Sequence, residues 1–216
     1  MVLKIILASS LITSHIASAG EPPTAAQTST KDLIKLLLAQ DLGTRKFPFT
    51  DVVHAATGKT VLQLQPQNEN HQAILKAIRQ AAKETLAELN LPSSPIRKLR
   101  RINEASRFFE NLILSKINSS PHLECSIPKN SKGNEQLTGY PDMLITHTAP
   151  DGTKTHVYLD PKLFEKKSRS SSLRTFYYEP RTHTNKIQHD AVHLLIGISH
   201  DGNEGCLLYT SPSPRD

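Results

Sequence analysis

Apolar residues in the first half of the chain recur at helical spacing. Within residues 70–90 they fall three or four places apart, which predicts a helix, and Pro92 ends it. A second long helix is predicted from about Ser94 to Ile117 on the same kind of stripe. The first stripe comprises Ile74, Ile78, Ala81 or Ala82, Leu86 and Leu89.

After Pro121 the pattern changes to the alternation that is typical of strands. A hairpin is predicted from "YPDMLITHT" and "THVYLDPKLF", joined by the turn "APDGTK". Strands are also predicted at "HLECSIP" and, earlier, at "KTVLQLQ", and "SLRTFYYEP" reads as extended. The segment near Thr184 is predicted to begin as a helix and to become a strand at "HLLIGIS". This order predicts an α/β domain that starts near residue 94.

The first 30 residues look like a leader and a linker. Residues 1–19 have an early lysine, an apolar run and a small-x-small site, so we expect a secretory signal peptide. A start codon assigned too far upstream is the alternative. Residues 20–30 form a Pro/Ala/Thr-rich linker, and residues 31–93 a helical region whose first helix is capped by Ser29 or Thr30.

The last residues read as foreign to the protein. "CLLYTSPSPRD" back-translates to a string that resembles a transposase adapter used to build sequencing libraries, so we interpret 206–216 as a translated artefact. The α/β domain then covers 94–205, and we expect the natural protein to continue past Gly205. Cys125 becomes the single native cysteine, which excludes an internal disulfide and indicates a small core residue.

The composition is ordinary for a globular protein. Of 216 residues, 37% are hydrophobic and 21% are charged, and the formal net charge is +6. The excess of basic residues permits a nucleic-acid partner without requiring one.

Three ionisable residues of the predicted hairpin should meet in space. Asp142 begins one strand, and Asp160 and Lys162 end its partner. The start of one antiparallel strand lies beside the end of the other, and residues two apart share a face. Two close carboxylates repel unless a cation lies between them, and Mg²⁺ typically takes one or two carboxylates. With Lys162 holding a water, this set suits hydrolysis of a phosphodiester.

"YPD" followed by "LDPK" resembles the PD-(D/E)xK nuclease superfamily, which includes many restriction endonucleases. The resemblance covers roughly residues 94–202 and implies a central mixed sheet flanked by helices. It implies Asp142, Asp160 and Lys162 as catalytic residues, with Mg²⁺ or Mn²⁺ on the two aspartates. Many members also use a glutamate of the preceding helix, which here is Glu110 or Glu104. The Phe-Glu context in "RFFENL" resembles such enzymes and favours Glu110, which would also bind the metal. Pro161 between the acid and the lysine predicts a sheet edge or a bulge.

Basic and polar residues outside the hairpin are candidates for contacts with phosphates. The alternative for each is a solvated surface or a polar loop. The set comprises Arg97, Lys98, Arg100, Arg101, Arg169, Arg174, Lys186 and Gln188. Near Arg174, Phe176, Tyr177 and Tyr178 could stack on bases.

Histidines 183, 189 and 193 are a further candidate cluster. His189 and His193 are four residues apart on the predicted helix, but the sequence has no HExxH motif. A packed His193 and a solvated His189 are the alternative that we prefer.

Together these features predict an exported, Mg²⁺-dependent endonuclease that hydrolyses DNA. RNA is a second candidate substrate, the mature form has no membrane span, and a homodimer is a candidate assembly. A non-catalytic exported protein with a degenerate nuclease fold is the alternative. The expected location is secreted or periplasmic, or cytoplasmic if the start codon is wrong.

Overall fold

The structure of the chain is a computed structural model. It describes residues 29–39, 47–99, 104–165, 178, 184–200, 207–209 and 213–214. The chain divides into two compact units, residues 1–47 and 48–216. The predicted signal peptide lies outside the described residues and stays a prediction. None of the described helices is long and apolar enough to cross a membrane.

The first unit contributes helix α1, Thr30–Leu38. Ser29 caps it, as predicted, because its Oγ accepts a hydrogen bond from the Asp32 amide and donates one to the Asp32 carboxylate. Ile34 and Leu38 are exposed on this helix.

A mixed sheet forms the centre of the second unit. Its strands run in the order β1, β5, β4, β3, β2, and two short strands, β6 and β7, pair with β5 beside β1. Strand β5 is parallel to β1 and β4, whereas β3 is antiparallel to both β4 and β2. The strands are β1 Val61–Leu62, β2 Leu123–Ser126, β3 Met143–Thr148, β4 Lys154–Glu165, β5 Ala191–His200, β6 Leu207–Tyr209 and β7 Ser213–Pro214.

Helices cover both faces of this sheet. Helices α3, Glu69–Leu89, and α4, Ala105–Asn118, pack on one face, and α2, Phe49–Thr57, packs on the other. The strands contribute mainly aliphatic residues to the first face. Alternate strand residues, such as Val157 and Leu159, meet the apolar stripes of α3 and α4 there. The second face is aromatic. The α/β architecture with helices flanking a central sheet is therefore confirmed.

The aromatic cluster on the second face lies beside the end of the hairpin that carries Asp142 and Asp160. Its rings belong to Phe49, Tyr140, Tyr158 and Tyr178, and His193 stacks on Tyr140. Phe49 makes edge-to-face contacts with Tyr140 and Tyr178, each at 5.6 Å between ring centroids.

The helix predicted from Ser94 was wrong in its first part. Residues Pro95–Lys98 form a single 3₁₀ turn, and Leu99 is extended with ψ 136°. Ile96 is buried in the core, and the Arg97 guanidinium donates a hydrogen bond to the Asn90 carbonyl at the end of α3. These contacts stabilise a turn where the periodicity alone predicted a helix.

The helix predicted near Thr184 was also wrong. Asn185 accepts a hydrogen bond from the Ile187 amide and donates one to the Ile187 carbonyl. The Tyr158 hydroxyl accepts hydrogen bonds from the amides of Gln188 and His189. Because these backbone groups bond to side chains, the helix does not form, and the strand begins at Ala191 rather than at His193.

Asn118 ties the end of α4 to strand β2. Its Oδ1 accepts a hydrogen bond from the Cys125 amide at 2.7 Å, and its Nδ2 donates one to the Cys125 carbonyl at 2.9 Å. We predict that Asn118→Ala lowers the free energy of unfolding by about 1–3 kcal/mol, because both backbone groups lose their partner. Urea denaturation measures this. Asn111→Ala, an exposed asparagine of the same helix, is the matched control and should change stability by less than about 0.5 kcal/mol.

Candidate active site

The hairpin register brings Asp142 and Asp160 together. Met143 pairs with Leu159 and Leu144 pairs with Tyr158, so Asp142, one residue before the ladder begins, continues opposite Asp160. The turn that sets this register is closed by two hydrogen bonds: the Ala149 amide donates to the Thr153 carbonyl, and the Gly152 amide donates to the Ala149 carbonyl. Gly152 has φ +84°, which favours glycine.

Lys162 lies between the two carboxylates. Its Nζ is 2.9 Å from Asp160 Oδ2 and 3.5 Å from Asp142 Oδ2. The Asp160 side chain is 1% exposed, that of Asp142 is 20% exposed, and that of Lys162 is 50% exposed. The three groups therefore form a cluster in which one acid is buried and the lysine side chain is half exposed.

Pro161 lies in the part of strand β4 that pairs with β5 but no longer with β3. Strand β3 pairs with β4 only as far as Leu159, so Pro161 and the residues after it are paired on the β5 side alone. The predicted local edge is therefore present, although β4 is a central strand over its first half.

Electrostatics indicate a surplus of negative charge at this cluster. Burial, followed by the neighbouring Asp142 carboxylate, raises the pKa of Asp160 well above its ordinary value. Burial lowers the pKa of Lys162, but the carboxylates of Asp160 and Asp142 outweigh it, so that this pKa is raised overall.

Glu110, rather than Glu104, joins the carboxylates. Glu110 is half-buried on α4, and burial together with the Asp142 charge raises its pKa from 4.5 to about 7. Glu104 is exposed at the start of α4 and forms no hydrogen bond or ion pair within the described part of the chain.

The cluster offers donors for a cation. Two facing carboxylates and a third nearby suit Mg²⁺ or Mn²⁺, which take oxygen ligands and need only one or two carboxylates from protein. Among the described residues, no group of three or more His, Cys, Asp or Glu side chains is close enough to hold a metal ion by itself. The donor set therefore fits a cation that shares its coordination with water and substrate.

The predicted nucleic-acid contacts divide into three groups. Arg97 and Lys98 are exposed on the 3₁₀ turn. Lys186 is 2% exposed with its charge near the cluster, and the Gln188 side chain donates to the Asn185 carbonyl. Outside the described residues lie Arg100, Arg101, Arg169, Arg174, Phe176 and Tyr177.

The histidines do not form the predicted helical pair. His193 is buried in β5, with its Nδ1 2.6 Å from the Tyr140 hydroxyl, so the packed role was the right alternative. His189 is half-buried and stacks on His156 at 4.0 Å, rather than being solvated. Tyr178 is buried in the aromatic cluster and does not present its ring to solvent. Cys125 is buried, as predicted, and burial raises its pKa to about 12.

Sequence reasoning missed the aromatic support of the cluster. Tyr158 shares a strand face with Asp160 and Lys162, and the alternation of β4 could have revealed it. Nothing local in the sequence links Tyr140 to His193, which is 53 residues away.

Comparisons with known proteins identify the family of the chain. A model of the type II restriction enzyme MjaV family matches residues 42–213, and the chain belongs to that family. The type II restriction enzyme MjaV of Methanocaldococcus jannaschii is 25% identical to the chain over 162 residues, which cover 71% of this chain and 69% of that protein. Family membership supports a DNA endonuclease.

The family match includes most of residues 206–216, the segment that we interpreted as an artefact. It continues to residue 213, and residues 207–209 and 213–214 form strands that pair with β5. The expectation that 206–216 is an artefact stays a prediction, as do the domain boundaries.

The raised pKa of Glu110 predicts that the stability of the folded protein depends on pH. In the unfolded chain the carboxyl ionises near 4.5, and in the folded protein it ionises near 7. Its protonated form therefore favours the fold below pH 4.5, and that contribution is lost as the pH rises to about 7. We expect the melting temperature of Glu110→Gln, relative to wild type, to increase between pH 5 and pH 8 in metal-free buffer.

Differential scanning calorimetry at several pH values measures this difference. Glu104→Gln, at the exposed start of the same helix, is the matched control and should keep a constant difference from wild type. A flat profile for Glu110→Gln contradicts the assignment of Glu110 to the charged cluster.

Proposed function

We propose that this protein is a metal-dependent endonuclease of the PD-(D/E)xK type that hydrolyses phosphodiester bonds of DNA. The observation that carries the proposal is the convergence of Asp142, Asp160 and Lys162 at the open end of the β3–β4 hairpin. This convergence joins the restriction-enzyme family membership to a chemistry that requires acids and a lysine together.

Asp142 and Asp160 would hold the cation, with Glu110 nearby. When bound, Mg²⁺ or Mn²⁺ polarises the phosphoryl oxygen and lowers the pKa of a coordinated water. The raised pKa of Asp160 supports this assignment, because a carboxylate that is costly to ionise alone is stabilised by an added positive charge.

Lys162 orients the attacking water and offsets charge on the phosphate. Its side chain is half exposed, so its Nζ can reach both the carboxylates and a substrate at the open end of the hairpin. The raised pKa keeps this amine protonated at neutral pH, which suits charge stabilisation and water positioning rather than proton abstraction.

The non-catalytic alternative is not favoured. A degenerate site would have lost one of the three groups, whereas all three are present and in contact. An RNA substrate, a homodimer and export stay predictions.

We predict that Asp160→Asn and Lys162→Met each lower the cleavage rate of plasmid DNA in Mg²⁺ by at least about 10²-fold. Both variants should remain folded, because Asn relieves a buried carboxylate and Lys162 is half exposed. Nicking of supercoiled plasmid on agarose gels measures the rate. Matched controls are Asp51→Asn on α2 and Lys154→Met at the start of β4, both exposed, which should cut like wild type. Cleavage at the wild-type rate by folded Asp160→Asn would contradict the proposal.

Cation binding has a readout that does not depend on cleavage. At pH 8, Mg²⁺ at about ten times its dissociation constant should stabilise the fold by about 1.4 kcal/mol, a rise of a few degrees in melting temperature. Asp160→Asn should lose most of this rise. An equal rise in wild type and Asp160→Asn would show that Mg²⁺ binds elsewhere.

A further inference from the structure

Lys186 is a buried cation beside the cluster. It lies just before β5, is 2% exposed, and its Nζ donates a hydrogen bond to the Gln136 carbonyl at 3.1 Å. A buried ammonium is costly unless it is hydrogen-bonded and close to opposite charge. Lys186 has both kinds of support. Burial lowers its pKa, and the nearby carboxylates of Asp142, Asp160 and Glu110 partly oppose that shift.

The carbonyl that Lys186 binds belongs to the loop that leads into Asp142. This loop is braced internally, because Asn130 Oδ1 accepts hydrogen bonds from the amides of Lys132 and Asn134. The Gln136 side chain extends the bracing by donating to the Thr138 carbonyl. The hydrogen bond from Lys186 to Gln136 therefore holds an ordered segment that ends at Asp142, six residues further along the chain.

A second tether acts closer to Asp142. The Tyr140 hydroxyl is 2.6 Å from His193 Nδ1, and both rings are buried in the aromatic cluster. Lys186 and His193 thus hold the same segment, residues 136–142, from the chain that forms the start of β5. Asp142 itself lies outside the β3–β4 ladder, so these tethers supply the restraint that the ladder does not.

We propose that Lys186 is a positioning residue of the cleavage site, which holds residues 136–142 so that Asp142 faces Asp160. The inference rests on the proposed nuclease function. It replaces the expectation that Lys186 contacts a phosphate, because the buried Nζ is directed at a backbone carbonyl rather than at solvent.

Lys186→Met removes the charge and the donor at nearly constant length. We expect the single-turnover cleavage rate at saturating enzyme to fall by about 10²-fold, since displacing a catalytic group by about 1 Å costs that much. Affinity for the same plasmid, measured with EDTA present, should stay within about three-fold of wild type. Lys186→Arg, which retains charge and donors, should recover part of the rate.

The matched control is Lys116→Met. Lys116 also has a polar partner, but on the surface between α3 and α4, where its Nζ is 2.9 Å from the Glu88 carboxylate. It should cut like wild type. If Lys186→Met does not fold, as judged by circular dichroism, Lys186→Gln takes its place with the same expected result, because its amide ends one bond short of the lysine Nζ and does not reach the Gln136 carbonyl from the same backbone position.

Two results overturn the inference while leaving the nuclease function intact. One is a wild-type cleavage rate in Lys186→Met. The other is an unchanged saturated rate with weaker DNA binding and a salt dependence reduced by about 0.9 in slope, which identifies a phosphate contact.

Amide hydrogen exchange separates this inference from the function. If wild type itself fails to cut, or if Asp160→Asn cuts equally well, the proposed function fails. Residues 136–142 should still exchange faster in Lys186→Met than in wild type or Lys116→Met. Unchanged exchange in that segment overturns the positioning role whatever the activity.

Discussion

The antiparallel register of β3 and β4 is the constraint on which the site depends. A shift of one residue would move Asp160 and Lys162 to the other face of the sheet, away from the aromatic side and among the aliphatic residues packed by α3 and α4. The buried alternation of Val157 and Leu159 on one face therefore fixes where Asp160 and Lys162 must lie on the other. In this hairpin, the register that packs the apolar core also places the charged groups on the opposite face.

Charge balance is the second constraint. Three carboxylates, Glu110, Asp142 and Asp160, share a partly buried region with two lysines. Burial makes ionisation of Glu110 and Asp160 costly, so the region favours added positive charge. A folded protein would not retain such an arrangement for stability alone, because replacing buried charges with apolar groups is often neutral or stabilising. The arrangement is consistent with a site that is completed by a cation and a polyanionic substrate.

The sequence predicted what local rules control. Strand alternation and the Asp-Gly turn revealed the hairpin, and from it followed the meeting of Asp142 with Asp160 and Lys162. Helical periodicity revealed α3, but it did not foresee the turn at Pro95–Lys98 or the side-chain bonds of Asn185, because these depend on tertiary partners.

The choice of Glu110 over Glu104, and the burial of Lys186, likewise depended on how α4 and the loop before β3 pack. In the sequence, Glu110 was favoured only through the resemblance of "RFFENL" to other nucleases, and Lys186 was a candidate for a phosphate contact. Their environment is decided by contacts between segments that are far apart in the chain, such as Lys186 with Gln136, which no local pattern encodes.

The most direct measurement of the central claim is anomalous diffraction from crystals of the protein soaked in Mn²⁺. A site formed by Asp142 and Asp160 predicts a peak within bonding distance of both carboxylates, and loss of that peak in Asp160→Asn. Mn²⁺ bound only elsewhere, with Lys162 still occupying the space between the two aspartates, would contradict the account.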